Sequence, residues 1–142
     1  MESEAVSLKG RVLVEGNAVG EAVVVEALSF YGEVNPKTGA LNDGRSITGR
    51  VLVIGRPRGS TVGSYTIYGL RYYGKAPKAI IVESDADPIL VAGAVLAGIP
   101  LVDRVTGALS VISDGDLVEV LSGGIVRVYK RSSSSPLVRG RS

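Results

Sequence analysis

The stretch from Lys78 to Asp103, KAIIVESDADPILVAGAVLAGIPLVD, decides the fold because two structural grammars follow one another in it without a gap. KAIIVE (78–83) is a short continuous apolar run, the pattern of a strand covered on both faces. The residues after it begin a helix: Asp87 can cap the first turn, Pro88 suits the first helical position, and Gly98 suits the left-handed stop. IPLVD (99–103) then returns to strand. Upstream the order repeats, with RVLVIG (50–55) as a buried strand and a helix predicted from about Ser60 to Tyr73, capped by Ser60 or Thr61. A strand, helix, strand, helix, strand series implies right-handed crossovers and a parallel sheet at the centre.

The flanks read differently. GRVLVEG (10–16) and GEAVVVEALS (20–29) are β-branched runs on either side of a glycine-bearing turn, expected as a hairpin or as adjacent strands. Between Phe30 and Gly49 the polar segments NPKTG and LNDGRS predict a long loop, either partner-facing or simply solvated. DGDLVEVLSGGIVRVYK (114–130) places Asp-Gly and Gly-Gly turns around alternating runs, an antiparallel ribbon expected to join the N-terminal strands. The fold class is therefore mixed α/β, a βαβαβ centre with antiparallel β-rich termini. Residues 1–130 are expected to form one domain, and 131–142 a disordered, basic, serine-rich tail.

Composition narrows the chemistry. With no cysteine and no histidine, the chain has no thiolate nucleophile, no cysteine ligands for an iron–sulfur cluster, no imidazole base and no phosphohistidine. Any chemistry falls to hydroxyls, carboxylates, lysines, arginines and backbone amides. The net charge of +2 does not mark a nucleic-acid binder: Lys130, Arg131, Arg139 and Arg141 sit in the tail without an acid, which leaves 12 basic against 14 acidic residues over 1–129. The N-terminus lacks the apolar segment of a secretory signal. The longest apolar run, Pro88 to Gly98, falls well short of the roughly 20 residues a bilayer requires. A cytoplasmic protein that engages neither membrane nor nucleic acid is the expectation.

The candidate site is RPRGSTVGSY (56–65), at the carboxyl end of a predicted central strand. Ligands of open α/β sheets bind at such ends, where a helix N-terminus presents unpaired amides and a positive dipole end. Arg56 and Arg58 add fixed positive charge, Gly59 allows close backbone approach, and Ser60, Thr61 and Ser64 offer hydroxyls. The combination favours a carboxylate or a phosphate. Neither a P-loop nor a dinucleotide fingerprint is present, and a plain reading, with Ser60 as helix cap and the arginines solvated, fits the local pattern equally well. ESDADP (83–88) clusters three carboxylates that could hold a divalent cation, yet Asp87 is accounted for as a cap and Asp85 by solvation, so no metal site is assigned. Asp103 is expected as a solvated strand end, or as part of the site lining.

GRVLVIGRPRGSTVGSYTIYGL (49–70), APKAIIVE (76–83) and the NPKTG loop together resemble the small subunits of the phosphomevalonate dehydratases, the aconitase X branch of the aconitase superfamily, from about Lys9 to Tyr129. The resemblance implies a swivelling β/β/α domain that closes over a separately encoded large catalytic subunit in a heterodimer. In that family the large subunit carries the iron–sulfur cluster, which agrees with the absence of cysteine here. It further implies dehydration of the small phosphorylated hydroxy acid (R)-5-phosphomevalonate to trans-anhydromevalonate 5-phosphate in a modified mevalonate route to isoprenoids. The family's base is the serine after the glycine of this motif, Ser60. Two other readings stay open at this point: a dehydratase or isomerase of the same superfamily acting on another hydroxy acid, and a non-catalytic, anion-binding mobile domain.

Overall fold

The structure is a computed structural model that describes residues 5–58 and 63–131. Among these residues ten strands and four helical segments follow in the order β1 (Ala5–Lys9), β2 (Arg11–Val14), β3 (Ala18–Leu28), α1 (Phe30–Glu33), β4 (Val34–Asn35), β5 (Ala40–Leu41), β6 (Val51–Pro57), α2 (Gly63–Tyr72), β7 (Ala79–Val82), α3 (Pro88–Ala97), β8 (Leu101–Asp103), α4 (Ala108–Val111), β9 (Leu117–Leu121) and β10 (Ile125–Tyr129). Eight strands form one sheet in the order β1-β10-β9-β3-β6-β7-β8-β2, and β4 pairs with β5 alone. The predicted centre is present: β3, β6, β7 and β8 run parallel, with α2 and α3 as the crossovers.

The eleven-residue β3 joins two halves of the sheet. Its first residues, Ala18 to Glu21, pair antiparallel with β9, and Ala22 to Leu28 pair parallel with β6. Gly10 alone separates β1 from β2, although these strands are the two ends of the sheet order, so the sheet must wrap round to bring its edges together. The Gly10 amide donates to the Gly124 carbonyl at 2.9 Å, extending the β1–β10 ladder by one residue up to that corner. Wrapping produces the layers. Val51, Val53, Ala79 and Ile81 point inward to meet Val118, Val120, Val126 and Val128 of the ribbon. Leu52, Ile54, Ile80 and Val82 face the other way, against Ile67 and Leu70 of α2 and Leu90 and Ala94 of α3. Alternation along a strand divides the two cores in this way, and it is why the central strands read as unbroken apolar runs. The arrangement is the expected β/β/α stack.

One expectation fails. β2 and β3 form neither a hairpin nor adjacent strands, because β2 lies antiparallel beside β8 while β3 takes β9 and β6 as neighbours. Two β-branched runs around a short glycine turn carry no information about which distant edge offers a better partner, and here the exposed flank of β8 recruits β2. The long loop also contains structure: the irregular turn α1, in which Tyr31 and Gly32 are non-helical, and the β4-β5 pair. Of the expected tail, 131–142, Arg131 is described and its amide donates to Asp116 at 2.8 Å, while 132–142 lie outside the described residues. Among the described residues no helix is long and apolar enough to cross a membrane.

Candidate functional site

Strand β6 delivers both arginines. Residues 52 and 54 face the helical layer, so Arg56, two positions on, continues that face just beyond the buried stretch, and Arg58 follows. Arg56 is exposed and lies in register with Ala27 of β3. Just before Arg56, Gly55 passes close to the chain beside it: a side chain there would strike the Glu26 carbonyl and come within 2.6 Å of Leu109. Only glycine permits β6 to run straight to its end under α4.

Helix α2 is described over Gly63–Tyr72. Gly59, Ser60 and Thr61, the hydroxyl-bearing centre of the motif, lie with Val62 outside the described residues, as does the predicted capping by Ser60 or Thr61. Ser64 is described: it is half-buried in the first turn of α2 and lies against α3, its Cα 3.2 Å from the point a Cβ on Gly93 would occupy. Gly93 is thus what allows the two crossover helices to approach closely. α3 starts as its sequence predicts, with the Asp87 carboxylate accepting the Leu90 amide at 2.8 Å, Pro88 in the first turn, and Gly98 left-handed at φ 69°. Pro57, Arg58, Gly63 and Asp87 border one cleft, so the N-terminal ends of α2 and α3 converge on the carboxyl edge of the sheet. A more voluminous groove, about 600 Å³, lies at the opposite edge between Asn17, Arg71, Lys78 and Pro100, far from the motif.

Arg58 is exposed but paired. Its guanidinium pairs with Glu33, whose other carboxylate oxygen accepts the Ser29 amide at 2.9 Å, while the Arg58 amide donates to the Leu28 carbonyl at 2.8 Å. The Ser29 amide, and then Arg58, outweigh partial burial and hold the Glu33 carboxyl below the usual glutamate range. Phe30, 5% exposed, anchors this segment in the core. Arg56 makes no ion pair among the described residues. Sequence reading missed the role of Glu33 altogether, though one signal was available: the only phenylalanine of the chain stands in an otherwise polar loop.

The carboxylates near the same edge are each engaged. Asp103 is fully buried rather than solvated: Arg11 donates to it through two nitrogens at 2.9 and 2.8 Å, and the Ala86 amide adds a bond of 2.8 Å. Asp85 pairs with Arg104 at 2.9 Å, which holds its carboxyl below the usual aspartate range. Glu83 accepts the Leu109 amide at 3.0 Å. Among the described residues no three metal-ligating side chains come together. Arg104 itself has φ 56°, a left-handed conformation unusual for a side-chain-bearing residue.

The family model of the aconitase X swivel domain matches residues 7–128. The chain belongs to the aconitase X swivel family. The phosphomevalonate dehydratase small subunit of Aeropyrum pernix is 50% identical over 126 residues, covering 88% of this chain and 95% of the relative. That of Thermococcus onnurineus is 48% identical over 129 residues, covering 85% and 97%. The crystal structure of Thermococcus kodakaraensis aconitase X in its holo form superposes with a TM-score of 0.82 at 44% identity, covering 88% of this chain and 99% of that one. The swivel architecture expected from the motif is therefore confirmed, and the aconitase X matches extend over the carboxyl edge where Arg56 and Arg58 stand. An iron–sulfur cluster finds no ligands in this chain, which contains neither cysteine nor histidine.

Proposed function

We propose that this chain is the small subunit of a hydro-lyase that converts (R)-5-phosphomevalonate to trans-anhydromevalonate 5-phosphate, with Ser60 as proton acceptor and the iron–sulfur cluster on the large subunit. The observation that carries the reading is the likeness, near 50% identity and nearly end to end, to small subunits of that name. In the reaction the proton next to the substrate carboxylate leaves C2, the C2–C3 double bond forms, and the C3 hydroxyl departs as water. A cluster on the partner would supply Lewis acidity for the departing hydroxyl. This chain's part is the proton. A serine accepts one only as an alkoxide, and the helix N-terminus of α2 together with Arg56 is the positive environment that would sustain it. Arg56, exposed and without an ion pair among the described residues, is the arginine suited to an anionic group of the substrate. Gly59 lets the substrate approach the backbone, and Thr61 and Ser64 donate secondary hydrogen bonds to it or to the turn.

The test is reconstitution. Mixed with its large subunit, the chain should dehydrate (R)-5-phosphomevalonate faster than non-phosphorylated mevalonate or other 3-hydroxy acids, and each subunit alone should be inert. Turnover by this chain alone would overturn the reading, and preference for another hydroxy acid would reassign the substrate.

A further inference from the structure

From the outer face of the two crossover helices we infer that α2 and α3 form a docking surface for the large subunit, an inference that rests on the proposed assembly of this chain with such a partner. Tyr65, Tyr68 and Tyr72 stand at three- and four-residue spacing and so share one face of α2, opposite the buried Ile67 and Leu70. Tyr65 is 75% and Tyr72 73% exposed, and Tyr73 packs edge-on against Tyr72 with ring centroids 5.0 Å apart. α3 has no polar side chain from Pro88 to Ala97. Its inner side, with Leu90, Ala94 and Ala97, is buried, while Val95 and Leu96 are exposed on the outer side. A helix apolar all round is ordinarily buried all round, yet among the described residues nothing covers this half of α3. Both stripes point away from the sheet and lie side by side in the helical layer, where Gly93 lets the helices meet. At about 150–250 Å² per aromatic side chain, the four tyrosines leave roughly 500 Å² in solvent, near the upper end of the largest patch a monomer exposes, about 300–600 Å². Val95 and Leu96 bring it toward the roughly 800 Å² that each partner contributes to a stable complex. The composition is that of an interface core, rich in tyrosine and poor in charge, with Arg71 the one charged residue of α2. The occupant follows from position. The N-terminal ends of both helices converge on the cleft bordered by Arg58, Gly63 and Asp87, the edge at which the proposed reaction joins the two polypeptides, so a partner seated there continues directly onto this face. It would present an apolar surface with acceptors for the tyrosine hydroxyls.

Nitration of the wild-type chain by tetranitromethane, alone and in the assembled heterodimer, tests this without any substitution. Tyr65, Tyr68 and Tyr72 should be modified in the isolated chain, and assembly should slow their modification by about tenfold or more, as expected where an interface excludes solvent, read by mass spectrometry of the separated chains. Tyr129, half-buried on the ribbon, should react alike in both states. Tyr68→Asp and Leu96→Asp should each weaken association with the large subunit by about 30-fold or more, the loss expected at a central interface residue. The unfolding temperature of the isolated chain should stay within about 3 °C, as for exposed substitutions. Leu117→Asp, at an exposed apolar position on the ribbon, should associate as wild type does. Equal nitration in the two states, or wild-type affinity in both variants, would overturn the inference. A dimer of this chain alone that protects the same tyrosines and excludes the large subunit would give the face to a second copy and overturn it as well. The proposed function is judged separately: a heterodimer with these tyrosines protected but no turnover of (R)-5-phosphomevalonate would refute that reading and leave the docking surface standing, whereas turnover with the tyrosines unprotected would refute only the docking surface.

Discussion

Arg56 and Arg58 are two positions apart in a single motif, and nothing in their local sequence separates a ligand-binding guanidinium from an architectural one. The structure shows one difference between them: Glu33, 25 residues upstream of Arg58, pairs with it and not with Arg56. Arg56→Ala should therefore raise KM for a phosphorylated hydroxy acid by about 10- to 100-fold, as expected when a charge-assisted hydrogen bond to substrate is lost, with thermal stability unchanged within about 0.5 kcal/mol for an exposed substitution. A KM equal to that of wild type would exclude Arg56 as an anion ligand. Asp103 gives the same lesson from the opposite direction. Its position at a strand end suggested solvent, but Arg11 arrives from β2, whose pairing with β8 was not legible in the sequence, and the carboxylate is buried as a result. Residue roles set by contacts distant in sequence escape a local reading.

At the scale of elements, the central strands and α3 were readable because their determinants are contained within them. β6 opens with the continuous apolar run Val51–Ile54 and β7 is one throughout, and α3 carries its cap, its first-turn proline and its glycine stop in its own sequence. α2 is less self-contained, since its apposition to α3 depends on a glycine of the other helix. A side chain at Gly93 would begin 2.7 Å from Ile67 Cδ1 and 3.2 Å from the main chain of Ser64. Gly93→Leu should consequently cost about 1–3 kcal/mol by overpacking, measured by denaturant unfolding, and, on the proposal that Ser60 is the proton acceptor, should slow the reconstituted enzyme because α2 follows that residue in the chain. Unaltered stability would mean that the helices separate freely and that their approach does not place the site.

Across the whole molecule, Asp116 ties the start of the ribbon to Lys130 and Arg131, the two residues that follow β10. Burial pushes its carboxyl up, but the Arg131 amide at 2.8 Å, the Lys130 ammonium at 2.6 Å and the Ser113 amide at 2.8 Å outweigh that and bring it below the usual range. A carboxyl depressed in the folded state stabilises fully above its unfolded value, near 3.9, and this stabilisation is lost as pH falls through the lower folded value. Asp116→Asn should cost about 1–3 kcal/mol near pH 7, and the gap from wild type should narrow below about pH 4. A gap independent of pH would assign the loss to packing. Composition was legible only as an exclusion: without cysteine or histidine the chain lacks the usual protein ligands of an iron–sulfur cluster, and the assignment of a cluster to a large subunit is part of the proposed function. The central claim is that this chain supplies the proton acceptor for that partner's chemistry. The most direct measurement is turnover of (R)-5-phosphomevalonate by a heterodimer carrying Ser60→Ala, with assembly checked by co-elution: the account predicts an intact complex whose kcat is lower by several orders of magnitude, and an intact complex turning over near the wild-type rate would contradict it.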